Sequence, residues 1–164
     1  MKQKNSSAFV WAPWRKPYIL HLPKKTKPGC IFCRMLKAGN DRKNLIVERT
    51  KYSFAVLNLY PYNNGHILIV PKRHVAEFEK LNDQESLDLI KLQNEILKRL
   101  KVRLKPNGFN LGVNIGKAGG AGVPGHLHIH IVPRWVGDTN FMPVVGKTKV
   151  ISESLKSLYD RLTL

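Results

Sequence analysis

Between Gly125 and Pro133 the chain reads Gly-His-Leu-His-Ile-His-Ile-Val-Pro, with three histidines alternating with three aliphatic residues. A β-strand satisfies a period of two, because its successive side chains point to opposite faces. His126, His128 and His130 then share one face, while Leu127, Ile129 and Ile131 share the other. The fold must therefore supply an apolar core on one side of this strand and a chemical surface on the other. Side chains on one face recur about every 6.8 Å, so neighbouring imidazoles can grip a single phosphate group or divide their work between a metal and a substrate. Imidazole at three consecutive same-face positions points to nucleophilic, proton-transfer or metal chemistry, not to an ordinary solvated strand.

The segments before this strand supply its partners. Asn44–Glu48, Tyr52–Leu57 and Gly65–Val70 are apolar and β-branched, with Tyr60–Gly65 rich in turn formers, so three antiparallel strands are expected. A helix follows from Asp83 to about Arg103, with Asn82 and Glu85 in the positions of a capping box and Leu87, Ile90, Leu97, Leu100 and Leu104 as its apolar stripe. Leu89, Leu92 and Ile96 widen that sector, and a second copy of the chain is the expected cover for a second buried face. Phe109–Ile115 reads as a fourth strand. Residues 116–125 are half glycine, a loop whose backbone N–H groups can approach an anion although it lacks the spacing of a P-loop. The histidine run is then the fifth strand. The tail, 151–164, carries Leu155, Leu158 and Leu162 at helical spacing.

A length of 164 residues suits one core of ordinary size with flanking arms. The expected division is a basic, aromatic arm over 1–29, a body over 30–150 and a terminal helix over 151–164. In the arm, proline-punctuated residues 9–20, with Trp11, Trp14 and Tyr18, read as an extended segment covering apolar surface. No apolar run approaches the ~20 residues of a membrane span or follows the first lysines as a leader would, so a cytoplasmic protein is expected. The formal charge of +17 is concentrated in residues 1–51, which hold thirteen Lys or Arg against two acids. Such a field attracts polyanions. Nucleic acid, a phosphorylated small molecule and a merely soluble basic surface are the candidates; no helix-turn-helix, zinc-finger or aromatic-sheet signature accompanies the charge, so nucleic acid is not favoured, and solvated lysines are the plainest reading of the arm. Cys30 and Cys33 form a C-x-x-C pair, which in a cytosolic chain suggests metal or redox chemistry.

The residues from His126 to Val132 resemble the H-φ-H-φ-H-φ-φ motif of the histidine triad family, where φ is apolar. Ser53–Asn58, Pro61 and Gly65–Pro71 are similar to that family's nucleotide-binding strands. The spacing of Asn58 to Gly65 and His66, and Pro133-Arg134 after the triad, resemble its fragile-histidine-triad branch. Pro133–Trp135 and Gly137–Phe141 are similar to bacterial diadenosine tetraphosphate phosphorylases. The resemblance implies an α+β fold with a five-stranded antiparallel sheet, one long helix and a short C-terminal helix, usually as a homodimer. It implies a nucleotidyl hydrolase or transferase that cleaves dinucleoside polyphosphates or similar conjugates through a covalent histidine adduct. By position His128 would be the nucleophile, His130 a phosphate contact, His66 a supporting histidine and Asn58 a ribose contact, with Asn114, Gly119, Gly120 and Gly122 beside the phosphates. The chain departs from the family where fragile-type members carry Gln followed by Ser or Thr before the triad; here stand Gly122, Val123, Pro124 and Gly125. Cys30, Cys33, His74 and His126 make a plausible tetrahedral set for a structural zinc ion, similar to that of several bacterial relatives. The alternative to an enzyme is a nucleotide- or nucleic-acid-binding module with weak residual hydrolysis.

Overall fold

A computed structural model describes residues 29–145 and 151–164. The expected aromatic arm with Trp11, Trp14 and Tyr18 lies outside them. One unit comprises Gly29–Asp138 with Ile151–Leu164; of the other, Thr139–Val145 is described.

Five strands make one antiparallel sheet in the order β1-β2-β3-β5-β4. They are β1 (Ile46–Arg49), β2 (Ser53–Leu57), β3 (Ile67–Pro71), β4 (Gly108–Val113) and β5 (Ile129–Arg134). Every residue of β2 and β3 is buried, as their runs without polar alternation require for central strands. Two elements near the N-terminal side were not anticipated. Cys30 caps helix α1 (Ile31–Ala38), which ends at Gly39 in the left-handed region, and the Asn40 side chain caps a four-residue helix α2 (Asp41–Asn44). Asn44 is thus helical where a strand was expected. The Asn40 side chain accepts from Lys43 N–H, and this local cap outcompetes early entry into the ladder.

Helix α3 (Asp83–Leu104) begins at the expected capping box, with Asn82 and Glu85 exchanging side-chain and backbone bonds. Its buried stripe corrects the sequence reading: Glu85, Leu89, Leu92, Ile96, Leu100 and Leu104 are buried, whereas Leu87 and Ile90 are exposed. At 100° per residue Leu87 and Ile90 stand about 180° and 120° from Ile96, while Leu89, Leu92, Leu100 and Leu104 lie within about 80° of it. The residues expected to need a partner are covered by the sheet itself, through Ala55, Leu57, Ile67, Ile69, Ile129 and Ile131. Helix α5 (Leu155–Thr163) adds Leu158 and Leu162 to this core with Leu155 packed against it, so the expected spacing holds. The opposite sheet face carries a smaller cluster in which Phe32 of α1 meets Phe54, Val56, Leu68 and Val70. Helix α4 (Met142–Val145) follows an Asn140 side chain that accepts from the Met142 N–H at 2.9 Å. Among the described residues no helix is long and apolar enough to cross a membrane.

Candidate active site

Strand β5 sorts its side chains as the alternation demands. Ile129 and Ile131 enter the α3-facing core, while His130 pairs across the ladder with Leu68 on the Phe32 side. Pairing begins only at Ile129, so His126 and His128 precede the regular strand. They hold their places through two backbone bonds, His126 N–H to Val123 O at 3.2 Å and Leu127 N–H to Val75 O at 2.7 Å, and through Phe32, whose ring lies 5.3 Å from His126 and 5.4 Å from His128. His66, His126, His128 and His130 are all buried.

Backbone groups of known polarity set which nitrogen of each ring carries the proton. The Pro71 carbonyl can only accept, so at 2.8 Å it requires His126 Nε2–H and leaves the Nδ1 lone pair open. The His126 carbonyl, 2.8 Å from His128 Nδ1, likewise requires Nδ1–H and leaves the lone pair on His128 Nε2. At the other end of the row a donor decides. Tyr62 N–H approaches His66 Nδ1 at 3.0 Å, and the Asn58 amide nitrogen lies 3.3 Å from the same atom, so Nδ1 accepts and Nε2 holds the hydrogen. That hydrogen is donated to His130 Nδ1 at 2.9 Å, which puts the remaining proton of a neutral His130 on Nε2.

Burial keeps His66, His126 and His128 uncharged. It pushes His66 down to about 3, with His130 and His128 adding to the shift. His126 and His128 are lowered by the same desolvation, against the opposing effect of their carbonyl bonds. A neutral imidazole with an open nitrogen can act as a ligand or a nucleophile, whereas an imidazolium cannot.

Cys30, Cys33, His74 and His126 form a second group. Their ligand atoms all lie within 4.8 Å of one another. Nδ1 of His126 is 3.2 Å from Cys30 Sγ, 3.7 Å from Cys33 Sγ and 3.3 Å from His74 Nδ1, and Cys33 Sγ is 3.4 Å from His74 Nδ1. A tetrahedral ion with ordinary metal–sulfur and metal–nitrogen bonds has ligand–ligand edges of about 3.3–3.8 Å. The set fits such an ion, and the His126 lone pair left open by Pro71 points into it, with the Pro71 carbonyl as outer support. Without a cation, burial and the neighbouring Cys30 push the Cys33 thiol up.

The remaining expected residues differ in how closely they join the histidines. Asn58 touches His66 and also accepts from Tyr60 N–H at 3.0 Å. Asn114 follows β4, one alternation beyond Gly112, which pairs with His130 and leaves open space where a side chain would stand. Gly119, Gly120 and Gly122 lie in an exposed loop. At Gly119 a Cβ would sit 2.3 Å from the Ile115 carbonyl oxygen, and Gly120 has a φ of +81°, so glycine is required at both. The Gly120 amide is bonded to Lys117 O at 3.0 Å within the loop. Among the described residues no hydrogen bond joins Asn114 or these glycines to the triad. The sequence reading missed Phe32 and Tyr62, whose ring stacks on His130 at 5.7 Å and 7°. Both could have been suspected only as aromatics flanking Cys33 and Pro61.

A row of buried imidazoles on a five-stranded antiparallel sheet, beside a Cys/His cluster, defines a histidine-based site for phosphate or metal chemistry. The HIT domain family matches residues 40–136, and the chain belongs to that family. It is 39% identical over 159 residues to the AP-4-A phosphorylase of Mycobacterium tuberculosis, covering 94% of this chain and 82% of that protein. It is also 33% identical to the adenosine 5'-monophosphoramidase of Saccharomyces cerevisiae, over 77% of this chain and 75% of that one. Among solved structures, a hypothetical histidine triad nucleotide-binding protein from Sulfolobus tokodaii aligns with a TM-score of 0.67 at 27% identity, over 82% of this chain and 89% of that chain.

Proposed function

We propose that this protein cleaves dinucleoside polyphosphates such as diadenosine tetraphosphate, or similar nucleotide conjugates, by transferring the nucleotidyl group first to His128. The observation that carries the reading is the bond from His128 Nδ1–H to the His126 carbonyl, which leaves the Nε2 lone pair on the histidine face. In the first step Nε2 attacks the α-phosphorus; an N–P bond forms and the P–O bond to the leaving phosphate breaks, its electron pair departing with the oxygen. Phosphate, or water that gives up a proton to the solvent, then attacks the same phosphorus, and the N–P pair returns to Nε2. His130, with its proton on Nε2, donates to a phosphoryl oxygen as charge develops there. His66 supports His130, Asn58 takes the ribose, and Asn114 with Gly119, Gly120 and Gly122 lies beside the polyphosphate. Similarity to a relative named for phosphorolysis, together with the absent Gln before the triad, favours phosphate over water as acceptor.

Cys30, Cys33, His74 and His126 would hold zinc, whose chemistry there is structural: it would tie α1 to the end of β3 and to the triad segment. Reduced thiols suit a cytoplasmic setting. We also propose a homodimer. Strand β4 is a sheet edge with Leu111 and the following Ile115 exposed, and α3 exposes Leu87 and Ile90; light scattering at micromolar concentration would read a mass near twice 18.7 kDa.

The test is incubation with diadenosine tetraphosphate, with and without inorganic phosphate, followed by separation of the nucleotides. ADP and ATP formed only with phosphate would establish phosphorolysis; AMP and ATP formed without it would establish hydrolysis. No cleavage of this substrate or of adenosine phosphoramidate would sink the proposal.

A further inference from the structure

Pairing of β3 with β5 sets the backbone positions around His66 and His130, but it does not choose which nitrogen of His66 carries the proton. Tyr62 N–H, with the Asn58 amide 3.3 Å from the same nitrogen, makes that choice, and the shorter Tyr62 contact depends on the placement of the loop before β3. This loop is anchored from the far side of the triad strand. The buried Asn63 side chain donates from Nδ2 to the Pro133 carbonyl at 3.0 Å and to Asp138 Oδ2 at 2.7 Å. The Asp138 carboxylate, 7% exposed, also accepts from Arg134 Nε at 2.7 Å, from an Arg134 terminal nitrogen at 2.8 Å and from Trp135 N–H at 3.0 Å. Arg134 is four residues beyond His130 on the same strand and is itself braced by Asn110 of β4 at 2.7 Å. A carboxylate that collects charge-assisted bonds from a fork-shaped guanidinium and a buried amide is a stiff junction.

We infer that Asn63, Asp138 and Arg134 are positioning residues that hold the Tyr62 amide against His66 Nδ1, and so keep the proton on Nε2 of both His66 and His130. The lock joins the loop that instructs His66 to the strand that carries His130, outside the triad and outside the Cys/His cluster. Its catalytic consequence rests on the proposed role of His130 as a phosphate donor; its tautomeric consequence does not.

The experiment uses the full chain in two variants, Asp138→Asn, which keeps the volume and removes the charge, and Asn63→Ala, which cuts the junction from the loop side and leaves the Asp138–Arg134 bond in place. Long-range proton–nitrogen spectra of the imidazoles are recorded alongside turnover of diadenosine tetraphosphate. In the wild type His66 should show a bare Nδ1 and a protonated Nε2. In either folded variant the two nitrogens should move toward averaged shifts, and kcat should fall about tenfold to a hundredfold with KM changed by less than about twofold. His128→Asn should keep the wild-type His66 pattern while losing turnover. Folded variants with an unchanged His66 pattern would overturn the inference, including when their thermal midpoint falls, since that result leaves only a structural anchor. A shifted His66 pattern in a protein whose wild type turns over no nucleotide conjugate would uphold the lock and reject the enzymatic reading.

Discussion

The two ends of the histidine row use the same side chain for opposite purposes, and the difference comes from the backbone. At the end near Cys30 and Cys33, carbonyls of Pro71 and His126 face the rings, so the rings spend their N–H groups and present lone pairs. At the end near Tyr62 an amide N–H faces the first ring, so His66 accepts there and His130 is left presenting a proton. Lone pairs suit a metal ion and an electrophilic phosphorus; a proton suits a phosphoryl oxygen. One residue type can thus supply ligand, nucleophile and donor within a few residues, provided that fixed backbone dipoles choose the tautomer of each.

The largest effect is expected where the lone pair is removed outright. His128→Asn should lower turnover of diadenosine tetraphosphate by about a thousandfold or more, with nucleotide binding retained; turnover within tenfold of wild type would remove His128 as nucleophile. Cys30→Ser breaks the lone-pair end at its metal set. Metal analysis should show zinc near one equivalent in the wild type and a marked loss in the variant, with a thermal midpoint lower by several degrees, because binding energy of such a site is folding energy.

His66 tests the donor end through acid stability. Its folded pKa of about 3 lies below the ordinary 6.5, so between those values the unfolded chain binds the proton and the fold does not. The contribution of neutral His66 is fully present above pH 6.5 and is lost as pH falls toward 3. His66→Gln should flatten the stability–pH curve in that window, measured by urea unfolding; an unchanged slope would contradict the buried neutral ring. The smallest effect is expected from Gly112→Ala, opposite His130. A Cβ there meets nothing within 4 Å, so stability should stay within about 0.5 kcal/mol, and a raised KM would show that substrate uses the open space.

Much of this was readable from the chain. The period-two histidines gave their shared face, Asn82 and Glu85 gave the start of α3, and the C-x-x-C spacing with His74 and His126 gave a ligand set that the fold gathers. What failed was local competition and angular detail. Asn40 captured residues 41–44 for a helix, and the α3 stripe centred on Ile96 and Leu100 because burial follows the angle to the sheet, which a list of apolar residues does not contain. Asn63 and Asp138 entered only as members of the turn-rich Tyr60–Gly65 and of Gly137–Phe141, and nothing in the chain paired them before the fold brings them to 2.7 Å.

The sequence by itself determined which side chains could do chemistry and which face of the strand they share, because alternation is a property of the local backbone. Only the tertiary structure decided which nitrogen each histidine presents. The proton on an imidazole is placed by whichever donor or acceptor folds against it, and Pro71 reaches His126, and Asp138 the loop that carries Tyr62, from segments that the fold, not sequence proximity, brings together.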